Sequence, residues 1–210
     1  MSGLSIPLHV SHPPYAFGGA GQAELEPDAE LMLRVREGDD TSFSILLERY
    51  RGSVVRSLYR ITQNYAISEE LAQEVFLRIY RNRGTYEPTA KFKTWMFRIT
   101  TNLALNWLRD SRREKGQASL DDQNRDGTER QVADARLTAE QALVHEVRLR
   151  EIRQAIESLP PKQRAAVLMH KYEGLGYDQI GKVFGCSTSA VKSLMFRAYE
   201  SLRNQLVTMA

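Results

Sequence analysis

The chain predicts an all-α fold: two small helical domains joined by a flexible linker. Three observations carry this. From Asp28 onward apolar residues recur at spacings of three and four, strand-like alternation is scarce, and Gly and Pro fall between the periodic segments. A length of 210 residues with 42% hydrophobic content suits one ordinary domain or two small ones.

Residues 1–27 hold His9, His12, Pro7, Pro13, Pro14, Gly18, Gly19 and Gly21 without periodic apolar spacing, which favours a disordered N-terminal arm. Helices are expected at about 28–37, 41–62, 67–82 and 91–112. In the second, Phe43, Leu46, Leu47 and Tyr50 share a face, continued by Val54, Leu58 and Ile61, with Thr41 or Ser42 as the cap. In the third, Ser68 is read as the cap of an amphipathic helix carrying Leu71, Val75 and Ile79. These four form a first domain over 28–113.

Residues 114–135 carry six acids against three bases and few large apolar residues, so 114–137 is read as an acidic linker. A second domain, 138–210, contains four more helices. Leu159-Pro160-Pro161 stops one, and another can start at Lys162, since proline suits a first turn.

Within that domain Tyr177–Phe184, Gly185 and the stretch from Ser187 have helix-turn-helix spacing. Ile180 and Phe184 face inward, Gly185 permits a left-handed turn, and Ser187 or Thr188 caps a helix packed by Val191, Met195 and Ala198. Its solvent side presents Ser189, Lys192, Ser193, Phe196 and Arg197, a face able to enter a DNA major groove. The plainer alternative is a helical bundle with a solvated basic face. Cys186 at the turn reads as a small packing residue, and His170 as a packing or surface residue.

The fourth helix has two sides. Phe92, Met96, Ile99 and Leu103 make a core stripe, while Lys91, Trp95, Arg98, Asn102, Asn106 and Arg109 line another. Residues 91–113 hold six bases against Asp110, a net charge of +5 where the whole chain carries +3. Indole, amides and cations in one line suit single-stranded nucleic acid: bases stack, amides read base edges and cations hold phosphates. Trp107 reads as core; for Trp95 core and platform readings are both open. On the third helix Glu69, Glu70, Gln73 and Glu74 form an acidic patch beside Leu77, either a solvated face or a docking surface.

The bulk features narrow the class. A single cysteine cannot form an intramolecular disulfide or a multi-cysteine zinc site, and no apolar run approaches the ~18 residues that would cross a bilayer. With no signal-peptide pattern, a cytoplasmic protein is expected. The paired carboxylates come with no histidine or ligand spacing, so no catalytic residue, metal or cofactor is assigned.

Ser68-Glu-Glu-Leu-Ala-Gln-Glu-Val-Phe-Leu-Arg, Phe92-Lys-Thr-Trp-Met-Phe-Arg-Ile-Thr-Thr-Asn, Leu159-Pro-Pro-Lys-Gln-Arg-Ala-Ala-Val-Leu and the helix-turn-helix follow one another in order. As a set they resemble the extracytoplasmic-function sigma factors, group 4 of the sigma-70 family, over residues 28–206. The resemblance implies a non-catalytic RNA polymerase subunit whose regions 2 and 4 read promoter DNA. It places Glu70, Gln73 and Glu74 on the polymerase clamp helices. Trp95, Arg98, Asn102, Asn106 and Arg109 fall at the minus-ten element, with Asn102 at a pocket for a flipped base and Trp95 at the strand-separating wedge, its second member being Met96. Ser189, Lys192, Ser193, Phe196 and Arg197 fall at the minus-thirty-five element. Leu194 stands where many relatives carry an arginine, and an anti-sigma factor is an expected further partner. Two rivals remain at this level: a free-standing helix-turn-helix regulator, and a nucleic-acid enzyme using Glu69, Glu70 and Glu74 with a divalent metal.

Overall fold

The computed structural model describes residues 26–117 and 139–208, and every one of its regular elements is helical. The expected arm and most of the linker lie outside the described residues. The first unit comprises α1 (Pro27–Arg36), α2 (Asp40–Thr62), α3 (Tyr65–Arg81), a 3-10 turn at Arg83–Thr85 and α4 (Phe92–Gln117). The second comprises α5 (Ala139–Ser158), α6 (Pro161–Glu173), α7 (Tyr177–Phe184) and α8 (Thr188–Thr208).

Two caps differ from expectation. Asp39, not Thr41 or Ser42, caps α2: its Oδ1 accepts from the Thr41 and Ser42 amides at 2.9 and 3.2 Å. A carboxylate with two oxygens satisfies both amides while still accepting the Ser42 hydroxyl at 2.7 Å. Likewise Asn64 caps α3, accepting from the Ile67 amide at 3.1 Å. Ser68 lies one turn inside, buried, its hydroxyl 2.6 Å from the Asn64 carbonyl and 2.9 Å from the Thr62 hydroxyl. Helix α4 runs on to Gln117, into sequence read as linker, because nothing before Gly116 interrupts a run of good helix formers.

Met32, Leu46, Val54, Leu58, Ile61, Val75, Ile79, Phe92, Met96 and Phe97 fill the core of the first unit. Buried Asp28 ties α1 to α2, pairing with Arg49 and accepting from the Tyr50 hydroxyl. Burial and that carboxylate push the Tyr50 phenol well above its ordinary range. Glu26 reaches across to accept from the Phe92 amide at 3.2 Å, satisfying a free N–H at the start of α4.

In the second unit Leu159, Ala165, Leu168, Ile180, Val183, Val191, Met195 and Ala198 are buried. The two units also pack on each other, α6 against α2 and α4 and α7 against α4, so one buried cluster runs through both. Sequence reading, with a linker between two separate cores, did not anticipate this.

Candidate nucleic-acid interface

Helix α4 is positioned by its apolar stripe. Phe92 and Met96 are fully buried, Leu103 is 7% exposed and Ile99 packs against the same core. At steps of three and four along the other side, Arg98, Asn102, Asn106 and Arg109 are all exposed. Trp95 is half-buried, its ring 5.1 Å from Tyr86 edge-on and 6.1 Å from Phe92. Trp95 thus belongs to an aromatic cluster and is at the same time partly accessible. Met96 does not share that position, since the core stripe holds it at 0% exposure. Trp107, read as core, is half-exposed.

Beyond Arg109 the positive charge continues. Arg109, Arg112 and Arg113 of α4 and Lys162 of α6 line a cleft of about 530 Å³ floored by Leu105, Leu108 and two prolines. Among the described residues no acid lines it, so its potential suits phosphate oxygens.

The helix-turn-helix forms as its spacing predicts. Gly185 takes φ 65°, and Ser187 accepts from the Ala190 amide at 3.2 Å as the cap of α8. Val191, Met195 and Ala198 pack inward, leaving Ser189, Lys192, Ser193, Phe196 and Arg197 exposed, Phe196 at 69%. Phe196 thus stands among bases and hydroxyls without packing on the core. Leu194 is half-buried against the core, so it serves packing. Sequence reading missed Gly181: a Cβ there would meet the Cys186 carbonyl at 2.8 Å, so only glycine lets the turn close this tightly on α7. Its signal was the spacing Gly181-Lys-Val-Phe-Gly185. His170 is at the surface with Nδ1 3.0 Å from the Leu175 carbonyl, and Cys186 is half-buried.

A third surface lies between α2 and α3. Phe43, Leu47, Phe76 and Leu77 floor a groove of about 560 Å³ whose rim carries Glu69 and Gln73. Leu77 is 47% exposed. Of the acidic patch, Glu70 and Gln73 are exposed, whereas Glu74 is half-buried and pairs with Arg78 at 2.6 Å. Glu69 is engaged by Arg51 at 3.1 Å and by the Tyr65 hydroxyl at 3.0 Å. Glu69 and Glu74 thus both take part in surface ion pairs. The α2 wall was missed in sequence because Phe43 and Leu47 read there as core positions of an apolar helix face.

The family model "Sigma-70 region 2" matches residues 46–114, and "Sigma-70, region 4" matches 149–202. The ECF RNA polymerase sigma-E factor of Haemophilus influenzae is 31% identical over 188 residues, 88% of this chain and 97% of that protein. RNA polymerase sigma factor CarQ of Myxococcus xanthus is 33% identical, over 83% of this chain and 95% of CarQ. Among solved structures, CnrH in complex with the cytosolic domain of CnrY aligns with a TM-score of 0.65 at 16% identity, covering 88% of this chain and all of that one. The sigma factor RpoE in complex with the anti-sigma factor NepR from Bartonella quintana gives 0.60 at 18%, covering 78% and 96%. At those identities the structural likeness speaks for the fold.

Proposed function

Because the chain belongs to the extracytoplasmic-function sigma factors, non-catalytic subunits that direct RNA polymerase to promoters, we propose how its surfaces divide that work. Residues 28–113 act as region 2 and residues 138–210 as region 4, joined by 114–137, with residues 1–27 as an arm. The α2/α3 groove, with Glu70, Gln73 and Glu74 at and near its rim, docks on the polymerase clamp helices. Trp95, Arg98, Asn102, Asn106 and Arg109 hold the unpaired minus-ten strand, Asn102 reading an extruded base. Ser189, Lys192, Ser193, Phe196 and Arg197 read the minus-thirty-five duplex in its major groove.

The observation that carries this reading is the unbroken exposed line Arg98, Asn102, Asn106 and Arg109, flanking the stripe by which Phe92, Met96 and Leu103 bury α4 in the core. Cations at its ends hold phosphates while the two amides between them read base edges. Extruding a base costs a few kcal/mol, which stacking and hydrogen bonding in the site return, so binding alone can favour strand opening. Action on polymerase implies a cytoplasmic location. Since RpoE of Bartonella quintana was captured with an anti-sigma factor, a protein of that class is a further partner here.

The test is run-off transcription with core polymerase on a library of promoter fragments. Protein-dependent initiation, reduced by Asn102→Ala by about tenfold or more, supports the reading. Tight duplex binding by the protein alone without initiation would favour a free-standing regulator.

A further inference from the structure

The basic cleft beside α4 is built from two helices. On α4, Leu105, Leu108, Arg109, Arg112 and Arg113 keep to steps of three and four, so they fall along one side of the helix over about 12 Å. The other wall is the start of α6, Pro160, Pro161 and Lys162. Arg109 touches Asp110 at 3.3 Å, but both side chains are largely in solvent and such a pair is weak. Arg112 and Arg113 are exposed, and the Lys162 ammonium has an aromatic neighbour, 5.1 Å from the Phe184 ring centre. The crowding of positive charge reaches inward: burial draws the Arg164 guanidinium below its ordinary value, and Arg112 draws it down further against the pull of Glu157. Like charges held this close repel, and a multivalent anion placed among them relieves the repulsion.

Two further features narrow the occupant. Helix α6 begins with proline at the cap and at the first position, and no side chain caps it. The first-turn amides of Lys162 and Gln163 take no partner inside the helix, so the α6 wall adds its own positive potential to that of the side chains. The floor, by contrast, is apolar: Leu105 and Leu108 are half-buried, and the two prolines complete it. A hydrated inorganic anion gains nothing from such a floor, whereas a flat ring does. The volume of about 530 Å³ lies in the range of small-molecule sites.

We propose that this cleft binds a nucleoside polyphosphate, its phosphate chain held by Arg109, Arg112, Arg113 and Lys162 and its base laid over the leucine and proline floor. A single phosphate group carries at most about two charges at neutral pH, too few for the cations gathered here. A triphosphate chain has both the charge and the length to meet the two walls. Guanidinium groups donate in a fixed fork to phosphate oxygens and also stack on flat rings, so the arginines can serve either end of such a ligand. A nucleic-acid backbone alone would engage the cations and leave the leucines bare. The site stands on the cleft and not on the promoter reading, so run-off transcription and nucleotide binding succeed or fail separately.

The experiment is isothermal titration calorimetry of the full chain with ATP, GTP, AMP and inorganic tripolyphosphate. At least one of the two nucleoside triphosphates should bind saturably. AMP, which lacks the chain, and tripolyphosphate, which lacks the base, should each bind about tenfold more weakly or worse. Arg112→Ala and Lys162→Ala should each weaken the triphosphate by about tenfold. Arg81→Ala, which removes an exposed cation away from the cleft, should leave its affinity unchanged. Raising the salt from about 0.1 M to about 0.3 M should weaken it too, because the cations are exposed. Thermal melts check that each variant folds. No saturable triphosphate binding, or binding that ignores both cleft substitutions in folded protein, overturns the site. Tripolyphosphate bound as tightly as ATP and GTP overturns the placement of a base on the floor. A single-stranded oligonucleotide that responds to both substitutions while the nucleotides do not bind overturns the proposal in favour of a nucleic-acid surface.

Discussion

Arg164 of α6 donates from Nη1 to the carbonyl of Ile61, near the end of α2, at 3.1 Å in a buried setting. The same guanidinium serves the carbonyls of Glu157 and Leu159 at the end of α5, so one side chain satisfies groups from both units. Burial draws its pKa down, with Glu157 opposing and Arg112 adding to the shift. Arg164→Ala should lower unfolding free energy by about 3 kcal/mol, because buried carbonyls lose their donor. Arg164→Lys should recover little, as one ammonium cannot span the three acceptors. Urea titrations of the three proteins decide this; equal midpoints would show that water replaces the guanidinium.

Tyr86 presents the opposite case. Its ring is 1% exposed and its hydroxyl finds no partner among the described residues. Tyr86→Phe should therefore be neutral or stabilising by up to ~1 kcal/mol, against the usual cost of trimming a core. Burial, with Glu26 and Asp28 nearby, pushes the phenol from 10.0 up to about 12. The folded state then keeps this proton where the unfolded chain has lost it, so stability falls as pH rises from about 10 toward 12. Melts at about pH 9 and pH 11 should show a smaller alkaline loss for Tyr86→Phe than for the wild type.

At the other end of the scale, the Ser42 hydroxyl and amide, with the Thr41 amide, hold the Asp39 carboxyl below its ordinary 3.8. A depressed carboxyl contributes stability that is full above the unfolded value and is lost as pH falls through the folded one. Asp39→Ala should lower the melting temperature at neutral pH and flatten the acid limb. Asp39→Asn should keep the cap and lose only the acid dependence. Thermal melts across the acid range separate the two.

On the proposed clamp docking, Leu77 is an apolar anchor beside the polar rim. Leu77→Ala should weaken core polymerase binding by about tenfold while the melting temperature stays put, since the side chain is half in solvent. Fluorescence anisotropy against core polymerase would measure it. Unchanged affinity would move the docking surface off this groove.

Much of the architecture was legible because helical period and breakers are local. The stripe Val191, Met195 and Ala198, the left-handed Gly185 and the Ser187 cap were all readable within a few residues of one another. So was the exposed series from Arg98 to Arg109, since the buried stripe of α4 forces it outward. The caps of α2 and α3 were misplaced because Asp39 and Asn64 compete with neighbouring hydroxyls for the same amides, and only backbone geometry picks the winner. Trp95 and Met96 show a finer limit. Adjacent on a helix, they point about 100° apart, and which one meets solvent depends on where Tyr86 and Phe92 stack.

The sequence by itself determined the all-helical class, the helix-turn-helix, and the faces of α4 and α8 left to solvent, because each follows from spacing along one helix. Tertiary structure alone decided that Glu26 would cap α4, that Arg164 would serve carbonyls of both units, and that Glu173 would meet Ser53 and Lys93. Those contacts join residues dozens to more than a hundred positions apart, and no periodicity carries that information. Their partners are chosen by which surfaces the buried cluster brings together.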